Sequence, residues 1–324
     1  MGPTDHADVI AARDDVVVRV LAGAEGVDDA LALLDEAEAL AAAPLVDEAE
    51  RARLERLALR CEERASHWHS VLARRGDQTV GYAGVLLPTA RGGVATGDLA
   101  VARDRPPAGP VLSALLAGLE GLARRHGAAG LVVWIRRATA PDVACAAGEG
   151  FGIERRLGVL GRRLEGVEPV GPPAGIEVRA YRPDIDDDAV VGVLASAYAG
   201  TPDGGWTLER FRERRAYDWF RAEDLLVADA GDGDLRGLHW LKRRGSGVGE
   251  VYNLAIAPDA QGGGLGAVLL TAGLAHLAAE GLGECLLWVD LANEQAVRLY
   301  AAHGFQTRWE DVALGRTLRG TPRG

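Results

Sequence analysis

Two titratable residues in the last quarter of this sequence, Glu250 and Tyr300, stand beside motifs that could bind an anion and move protons. Glu250 opens the stretch EVYNLAIAPDAQGGGLG, in which apolar, β-prone residues lead into three glycines and then into a strongly helical segment. A glycine loop at a helix N-terminus lets a diphosphate approach free backbone N–H groups, and the helix dipole assists. We therefore interpret the loop as a cradle for the diphosphate of coenzyme A. Tyr300 lies one turn before Gly304, where a short helix is predicted to end.

The elements that must position these residues occur twice along the chain. The first series is predicted as strand, two helices, three strands, helix, strand, helix and strand, between residues 16 and 164. The same order begins again at Ile176 and ends with the helix that carries Tyr300. Strands and helices mixed in this way predict an α/β fold with a mixed sheet.

A segment rich in Pro and Gly and without hydrophobic periodicity, residues 166–175, separates the two series and is predicted to be a linker. The predicted domains are residues 15–165 and 176–319, and the polar residues 1–14 before them are expected to be flexible. A length of 324 residues with 48% hydrophobic content suits two globular domains.

Two pairs of positions indicate that the series are copies of one unit. Asp98, in DLAVARDR, corresponds to Asn253, in NLAIAPDA, 155 positions later. Gly150 corresponds to Gly304, 154 positions later. Spacings that agree within one residue favour a tandem duplication over two unrelated domains.

The same alignment predicts which copy is chemically competent. Opposite the cradle residues QGGGLG the first copy has PPAGPV, in which each proline removes a backbone N–H donor. Ala95 stands opposite Glu250, and Ala146 stands opposite Tyr300. The first copy is therefore predicted to be structural, and the second is predicted to hold the site.

The composition limits the classes of partner. A net charge of −11 argues against a general nucleic-acid or anionic-membrane partner and favours a small molecule. Cys61, Cys145 and Cys285 lie far apart without metal-ligand spacing, so we expect buried free thiols in a reducing compartment and no metal. No apolar run approaches the roughly 20 residues that span a bilayer, and the N-terminus lacks a signal pattern. We expect a cytoplasmic protein that acts as a monomer.

The order of elements, the cradle and the Tyr300 helix together resemble the GNAT N-acetyltransferase family. Within it, the stretches AYAGTPDGGWT, GLHWLK and GEVYNL resemble the mycothiol synthases, which are tandem GNAT enzymes. The resemblance covers nearly all of the second copy, and the first copy only in architecture. It implies an enzyme that transfers acetyl from acetyl-CoA to the cysteinyl amine of desacetylmycothiol, with only the second domain catalytic.

The resemblance implies roles for particular residues. Glu250 would accept the proton of the acceptor amine, since an α-amino group of pKa about 7.7–8.0 is mostly protonated at neutral pH. Tyr300 would protonate the departing thiolate, and backbone N–H groups near the end of the cradle strand would bind the oxyanion. Acetyl-CoA contacts are implied at Leu254, Ala255, Ile256, Gln261, Gly262, Gly263, Gly264, Leu265, Gly266, Ala267, Asn293 and Arg298. Acceptor contacts are implied at Asp47, Asp203, Lys242, Glu250 and Trp288.

Structural roles are alternatives for several of these residues. Asn293 and Asp47 could be helix N-caps without a ligand contact, and Asp203 could form a turn without one. Lys242 could be a solvated surface charge. Glu250 and Tyr300 could likewise be a surface carboxylate and a packing ring, although their occurrence with the cradle favours the catalytic roles.

The sequence departs from the family pattern in two places. Gly262 and Gly263 stand where the family usually has basic residues, which removes charge complementary to the diphosphate. Trp288 stands where a tyrosine is expected to touch the substrate, so a hydroxyl contact is lost. Two other functions therefore stay open. The chain could be a tandem acetyltransferase for another amine, such as an aminoglycoside-like molecule or a protein N-terminus, or a non-catalytic acyl-CoA-binding protein.

Overall fold

The structure is a computed structural model that describes residues 9–318 apart from residues 14, 22–25, 42–43, 47, 59–66, 106, 202, 232 and 246. Asp47 and Cys61 therefore lie outside the described residues. The chain forms two compact units, one of residues 1–157 with 309–324 and the other of residues 158–308. None of the described helices combines the length and the apolar character that a bilayer-spanning helix needs.

The first unit consists of a mixed sheet with helices packed on it. Its strands are β1 (Val9–Arg13), β2 (Val16–Val20), β3 (Trp68–Arg75), β4 (Gln78–Leu86), β5 (Val94–Val101) and β6 (Gly130–Ile135), with parts of β7 (Gly152–Arg163) and β13 (Gln306–Thr317). Its helices are α1 (Val27–Ala41), α2 (Glu48–Ala58), α3 (Ala108–Arg125) and α4 (Ala140–Gly148). Strands β1 to β6 lie in sequence order, with β5 parallel to β6 and the others antiparallel. Strand β13 pairs antiparallel with β6.

The second unit repeats this arrangement. Its strands are β8 (Glu177–Ala180), β9 (Leu225–Asp229), β10 (Leu235–Arg244), β11 (Val248–Ile256) and β12 (Glu284–Asp290), with the rest of β7. Its helices are α5 (Asp187–Ala197), α6 (Leu208–Arg215), α7 (Leu265–Ala279) and α8 (Glu294–Ala302). Strands β8 to β11 are antiparallel neighbours, and β12 runs parallel to β11. The predicted α/β class with a mixed sheet is confirmed.

Three segments differ from the sequence predictions. Residues 9–13 are not irregular but form β1, because they pair with β2 and Ile10 packs on the core of the first unit. The sequence predicts a helix over residues 208–220, whereas α6 ends at Arg215 and Phe220 packs edge-on against Trp240. Strand β13 was not predicted, because the sequence around it carries no motif and its partner β6 is far away in the chain.

The divisions between the two compact units fall within strands. Strand β7 continues across the division between residues 157 and 158, and β13 continues across that between residues 308 and 309. Residues 166–175, the predicted linker, form no helix or strand and belong to the second unit. The chain from Trp309 onward belongs to the first unit, since β13 pairs there with β6.

An aromatic cluster around Trp240 fixes one face of β10 in the second unit. The indole of Trp240 is fully buried, and truncating such a side chain typically costs about 3–5 kcal/mol. Ring centroids lie 5.1–6.3 Å from it in Tyr252, Phe211, Phe220, Trp219 and Trp206. Because side chains alternate along a strand, Lys242, two residues after Trp240, lies on the same face as this cluster.

Candidate functional site

Strands β11 and β12 pair only over their first halves. The parallel pairing runs from Val248 opposite Glu284 to Val251 opposite Leu287, whereas β11 itself continues to Ile256. On the β10 side, the pairing skips one residue of β11, so that Tyr252 is an extra, bulged residue. The bulge lies where the pairing with β12 ends, and we call the unpaired edge of β11 beyond it the gap. The sequence alone does not reveal this bulge.

Backbone groups of Leu254 and Ile256 face this gap. The N–H of Ala257, the residue after β11, donates to the carbonyl of Arg236 on β10 at 3.0 Å. Alternate residues of a strand direct their backbone groups to the same neighbour, so Ala255 also faces β10. Leu254 and Ile256 consequently turn to the side of β12, where pairing has ended. Of the three predicted strand-end residues, these two can offer N–H groups to an oxyanion or to an amide-containing ligand.

The carbonyls of the same two residues support this orientation. The Leu254 carbonyl accepts a hydrogen bond from the Tyr198 hydroxyl at 3.4 Å, and the Ile256 carbonyl accepts one from Nε2 of Gln261 at 3.1 Å. Both donors are side chains and not backbone groups of β10. Gln261, predicted to contact acetyl-CoA, thus also stabilises the end of β11. Tyr198 is a residue of this gap that the sequence analysis did not identify.

The glycine loop is built as an open N-terminus of α7. Gly262 and Gly264 both have φ of +83°, a conformation that glycine adopts without strain. Gly264 is the N-cap of α7 and forms no side-chain cap, so the first N–H groups of the helix, including those of Leu265 and Gly266, have no intrahelical acceptor. The N–H of Ala267 already donates to the Gly264 carbonyl at 3.0 Å. Ala267 was predicted among the contacts but does not offer a free donor.

We expect the Gly264→Ala substitution to weaken acetyl-CoA binding about 5- to 30-fold, because a left-handed conformation costs a non-glycine residue about 1–2 kcal/mol. A Cβ at Gly264 would meet no atom within 4 Å, so the expected effect comes from the backbone and not from a clash. The dissociation constant of acetyl-CoA, measured by calorimetry, checks this. Gly263→Ala is the matched comparison, since Gly263 also has open space but an ordinary φ. Equal losses in both variants would contradict the role given to the loop conformation.

Glu250 lies in a group of charged and aromatic side chains on one face of the sheet. It is directly opposite Lys242 in the β10–β11 pairing and is 7% exposed. Its Oε2 accepts a hydrogen bond from Nε of Arg244 at 2.6 Å. The guanidinium carbon of Arg244 lies 4.9 Å from the ring centroid of Trp288, and Nζ of Lys242 lies 4.5 Å from that of Trp219. The structure therefore brings three predicted residues, Lys242, Glu250 and Trp288, to one face.

Sequence reasoning missed Arg244 in this group. It follows Lys242 by two positions on β10, and residues two apart on a strand share a face. That spacing was the signal that could have identified it.

Tyr300 lies on α8 at the core of the second unit. It is 8% exposed, and its ring packs edge-on against Phe305 at a centroid distance of 5.7 Å. Burial raises the pKa of its phenol well above the usual value of about 10, and the nearby Tyr198 and Cys285 raise it further. The phenol is therefore neutral over the physiological range and able to donate a proton. Tyr198, which influences this pKa, donates its hydroxyl hydrogen bond to the Leu254 carbonyl and so lies beside the gap.

The cysteine predictions are borne out in part. Cys285 is a buried free thiol whose pKa is raised by burial and next by the charge of Glu250. Cys145 is a free thiol but only half-buried. Cys285 thus lies within electrostatic range of both Glu250 and Tyr300.

The remaining predicted residues lie in less specific surroundings. Asn293 caps α8, its side chain accepting from the N–H of Ala296 at 3.1 Å, so the capping role is present. Arg298 is exposed and pairs with Glu294 at 3.0 Å. Asp203 is exposed in the turn before α6, and its charge contributes, after burial, to a raised pKa of Tyr198.

The structure corrects the alignment between Glu250 and the first unit. In the β5–β6 pairing Thr96 is opposite Val132, and in the β11–β12 pairing Glu250 is opposite Leu286. Val132 and Leu286 are 154 positions apart, as are Thr96 and Glu250. Thr96, and not Ala95, therefore corresponds to Glu250, because the bulge adds one residue to β11. Since a threonine hydroxyl is no general base at neutral pH, the conclusion about the first copy is unchanged.

The cradle of the first unit is also degraded. The loop between β5 and α3 covers residues 102–107, two residues fewer than the corresponding residues 257–264. Among the loop residues that the structure describes, 102–105 and 107, none has a positive φ. Ala146, opposite Tyr300, is fully buried in α4 and carries no titratable group. The described residues of the first unit thus reproduce neither the open loop nor titratable groups at the positions that correspond to Glu250 and Tyr300.

Comparisons with known proteins found similar acetyltransferases. The acetyltransferase (GNAT) family model matches residues 192–305. The chain is 39% identical over 254 residues to a mycothiol acetyltransferase of Actinosynnema mirum, covering 78% of this chain and 84% of the relative. It is 37% identical over 298 residues to a mycothiol acetyltransferase of Streptomyces avermitilis, covering 87% of this chain and 89% of the relative.

Solved structures with the same fold include acetyltransferases. A GCN5-related N-acetyltransferase from Sphaerobacter thermophilus matches with a TM-score of 0.69 and 21% identity, covering 95% of this chain and 97% of that one. A tandem GNAT protein from the clavulanic acid biosynthesis pathway matches with a TM-score of 0.68 and 18% identity, covering 95% and 100%. At these identities the structural matches establish the fold alone.

Proposed function

This chain belongs to the mycothiol acetyltransferase family of GNAT enzymes, and we propose that it transfers the acetyl group of acetyl-CoA to the cysteinyl amine of desacetylmycothiol. The observation that carries the proposal is the order of groups along β11 in the second unit. Glu250 comes first, then the bulge at Tyr252, then the gap-facing N–H groups of Leu254 and Ile256, and finally the glycine loop. A coenzyme A molecule with its diphosphate at the loop would extend along the gap and present its thioester near Glu250.

The proposed contacts of acetyl-CoA follow from this placement. The diphosphate is bound by N–H groups of the loop and of the first turn of α7, without help from a basic side chain of the loop itself. The amide groups of the pantetheine arm pair with the gap-facing backbone of Leu254 and Ile256, as an added strand would. Asn293 and Arg298, at the start and on the exposed side of α8, stay proposed contacts on the opposite side of the gap.

The chemical step joins the acceptor nitrogen to the acetyl carbon. The amine must be neutral to attack, and Glu250 accepts its proton directly or through water. As the C–N bond forms, the thioester oxygen becomes an oxyanion that the N–H groups of Leu254 or Ile256 can stabilise. The tetrahedral intermediate then collapses with cleavage of the C–S bond, and the neutral phenol of Tyr300 protonates the departing thiolate. Acetylated amine and coenzyme A are released.

The acceptor is proposed to bind on the face that carries Lys242, Glu250 and Trp288. Lys242 supplies a buried cation and Trp288 a ring beside the base, and both suit a polar acceptor with sugar hydroxyls. Asp203 is proposed as a further acceptor contact, because its exposed carboxylate influences Tyr198 at the gap.

A second acceptor class is favoured by one observation. The ring of Trp288 is in contact with Arg244, so that this position offers a stacked cation where the family pattern places a tyrosine hydroxyl. An amine without the pseudodisaccharide, such as an aminoglycoside-like molecule or a protein N-terminus, is the alternative acceptor.

Mass spectrometry of the products tests the proposal directly. Purified protein is incubated with acetyl-CoA and desacetylmycothiol, with a panel of other amines run in parallel. The expected result is acetyl-CoA-dependent formation of mycothiol with release of one thiol for each acetyl group transferred. Turnover confined to another amine would remove the substrate claim, and turnover of no amine would favour a non-catalytic acyl-CoA-binding protein.

A further inference from the structure

The side chain of Arg244 crosses from one strand to the next but one. Arg244 is on β10 and Trp288 is on β12, and two strand spacings amount to about 9–10 Å. Its guanidinium carbon nevertheless lies 4.9 Å from the ring centroid of Trp288. On the way it donates from Nε to Oε2 of Glu250, on the intervening strand β11, at 2.6 Å. The guanidinium therefore lies over the carboxylate proposed as the base.

The strand pairing explains why these three side chains meet. Lys242 is directly opposite Glu250, so Arg244, two residues further on, is on the same face. Glu250 is also directly opposite Leu286 in the parallel pairing, so Trp288, two residues further on, shares that face as well. The meeting is thus built into the sheet and does not depend on a loop.

The contact engages one of the two carboxylate oxygens of Glu250. The Glu250 side chain is 9% exposed and that of Arg244 is 29% exposed. Among the described residues, no side chain donates to Oε1 of Glu250 at hydrogen-bond distance. A cation over an indole ring gains about 0.5–2 kcal/mol, which restrains the guanidinium that holds Oε2. The orientation of Oε1 is therefore set by a chain of two contacts, from Trp288 to Arg244 and from Arg244 to Glu250.

We propose that Arg244, held on Trp288, is a positioning residue for acetyl transfer, which fixes the Glu250 carboxylate so that Oε1 receives the proton of the acceptor amine. This inference rests on the proposed function, since it assigns Arg244 to the base of that reaction. Arg244 itself forms and breaks no bond to substrate. Its effect is geometric, and a misplacement of about 1 Å in such a group can cost about 100-fold in rate.

A double-mutant cycle tests the inference. Arg244→Gln is expected to lower kcat about 10- to 100-fold while the KM for acetyl-CoA stays within about twofold. In the Glu250→Gln background the same substitution is expected to have almost no further effect, because a residue that acts through the base has nothing left to position. Arg244→Lys, which keeps the charge but lacks Nε and the planar fork, should recover part of kcat. An equal loss of rate in both backgrounds would overturn the inference.

Arg243→Gln is the matched structural comparison. Arg243 is the next residue of β10, on the other face, and pairs with Asp224 at 2.7 Å and Glu280 at 2.6 Å. Its loss should lower Tm without a selective fall in kcat. If Arg244→Gln instead lowered Tm and affected kcat and both KM values together, as a structural residue would, the positioning role would be wrong.

The wild-type protein separates this inference from the proposed function. Turnover of desacetylmycothiol tests the substrate by itself. If the wild type acetylates a different amine, the cycle is measured with that amine and still decides the role of Arg244. Turnover of no amine would overturn both.

Discussion

Replacing Glu250 by glutamine is expected to lower kcat for acetyl transfer by about 10²- to 10⁴-fold, the usual contribution of a general base. The amide keeps the size of the side chain and can still accept the hydrogen bond from Arg244, but it cannot take a proton. Glu250 lies at the opposite end of β11 from the glycine loop, so acetyl-CoA binding should be retained. Steady-state kinetics at saturating concentrations of both substrates, with acetyl-CoA affinity measured separately, check both parts.

The pH dependence of the same variant distinguishes proton transfer from a binding role. An α-amino acceptor has a pKa of about 7.7–8.0, so its neutral fraction increases as the pH rises through that range. The ratio of wild-type kcat to Glu250→Gln kcat should therefore fall at alkaline pH, because less of the amine then needs to be deprotonated by the base. A deficit that is constant across this range, or one that appears entirely in the KM for acetyl-CoA, would contradict the role of Glu250 as base.

Replacing Tyr300 by phenylalanine is expected to lower kcat by about 10- to 100-fold, because the coenzyme A thiolate would then leave without a proton donor. The ring and its packing against Phe305 are kept, so Tm should change little. Burial raises the pKa of Tyr300 above its usual value of about 10, so the phenol keeps its proton as the pH rises towards 10. A fall in the wild-type rate below about pH 10 should therefore not come from deprotonation of Tyr300. Rates with acetyl-CoA and with an acetyl thioester of a more acidic thiol provide the measurement.

The leaving group decides between catalysis and packing. A thiol whose pKa lies well below the value of about 8.5 for an ordinary thiol needs no proton to depart. With such a thioester, Tyr300→Phe should approach the wild-type rate. Tyr217→Phe serves as the comparison, because Tyr217 is an exposed tyrosine of the same unit outside the gap. Equal slowing of both thioesters by Tyr300→Phe would assign Tyr300 a packing role only.

Much of the organisation could be predicted from the sequence. The repeated order of strands and helices was predicted from periodicity, and the loop from glycines placed between a strand and a helix. Degradation of the first copy was visible because proline replaces glycine in a loop that needs backbone donors. The family relationship predicted from the second copy is confirmed by relatives that are 37–39% identical over most of the chain.

Two of the errors, the residue aligned with Glu250 and the missed strand β13, have a common origin in strand pairing. The alignment placed Ala95 opposite Glu250, but the bulge at Tyr252 shifts the equivalence to Thr96. Strand β13 was not predicted, because its partner β6 lies more than a hundred residues earlier in the chain. A bulge or a long-range pair leaves no local pattern, because it depends on which segments become neighbours.

The sequence by itself determined the two series of elements, the glycine loop and the choice of Glu250 and Tyr300, because each depends on residues that are close in the chain. Only the tertiary structure decided that Leu254 and Ile256, and not Ala255, face the gap, since this follows from the pairing of β11 with β10 and its end with β12. The contact of Arg244 with both Glu250 and Trp288 was decided in the same way. Three strands must be aligned within one residue before these side chains can meet, and that alignment is set by packing across the whole sheet.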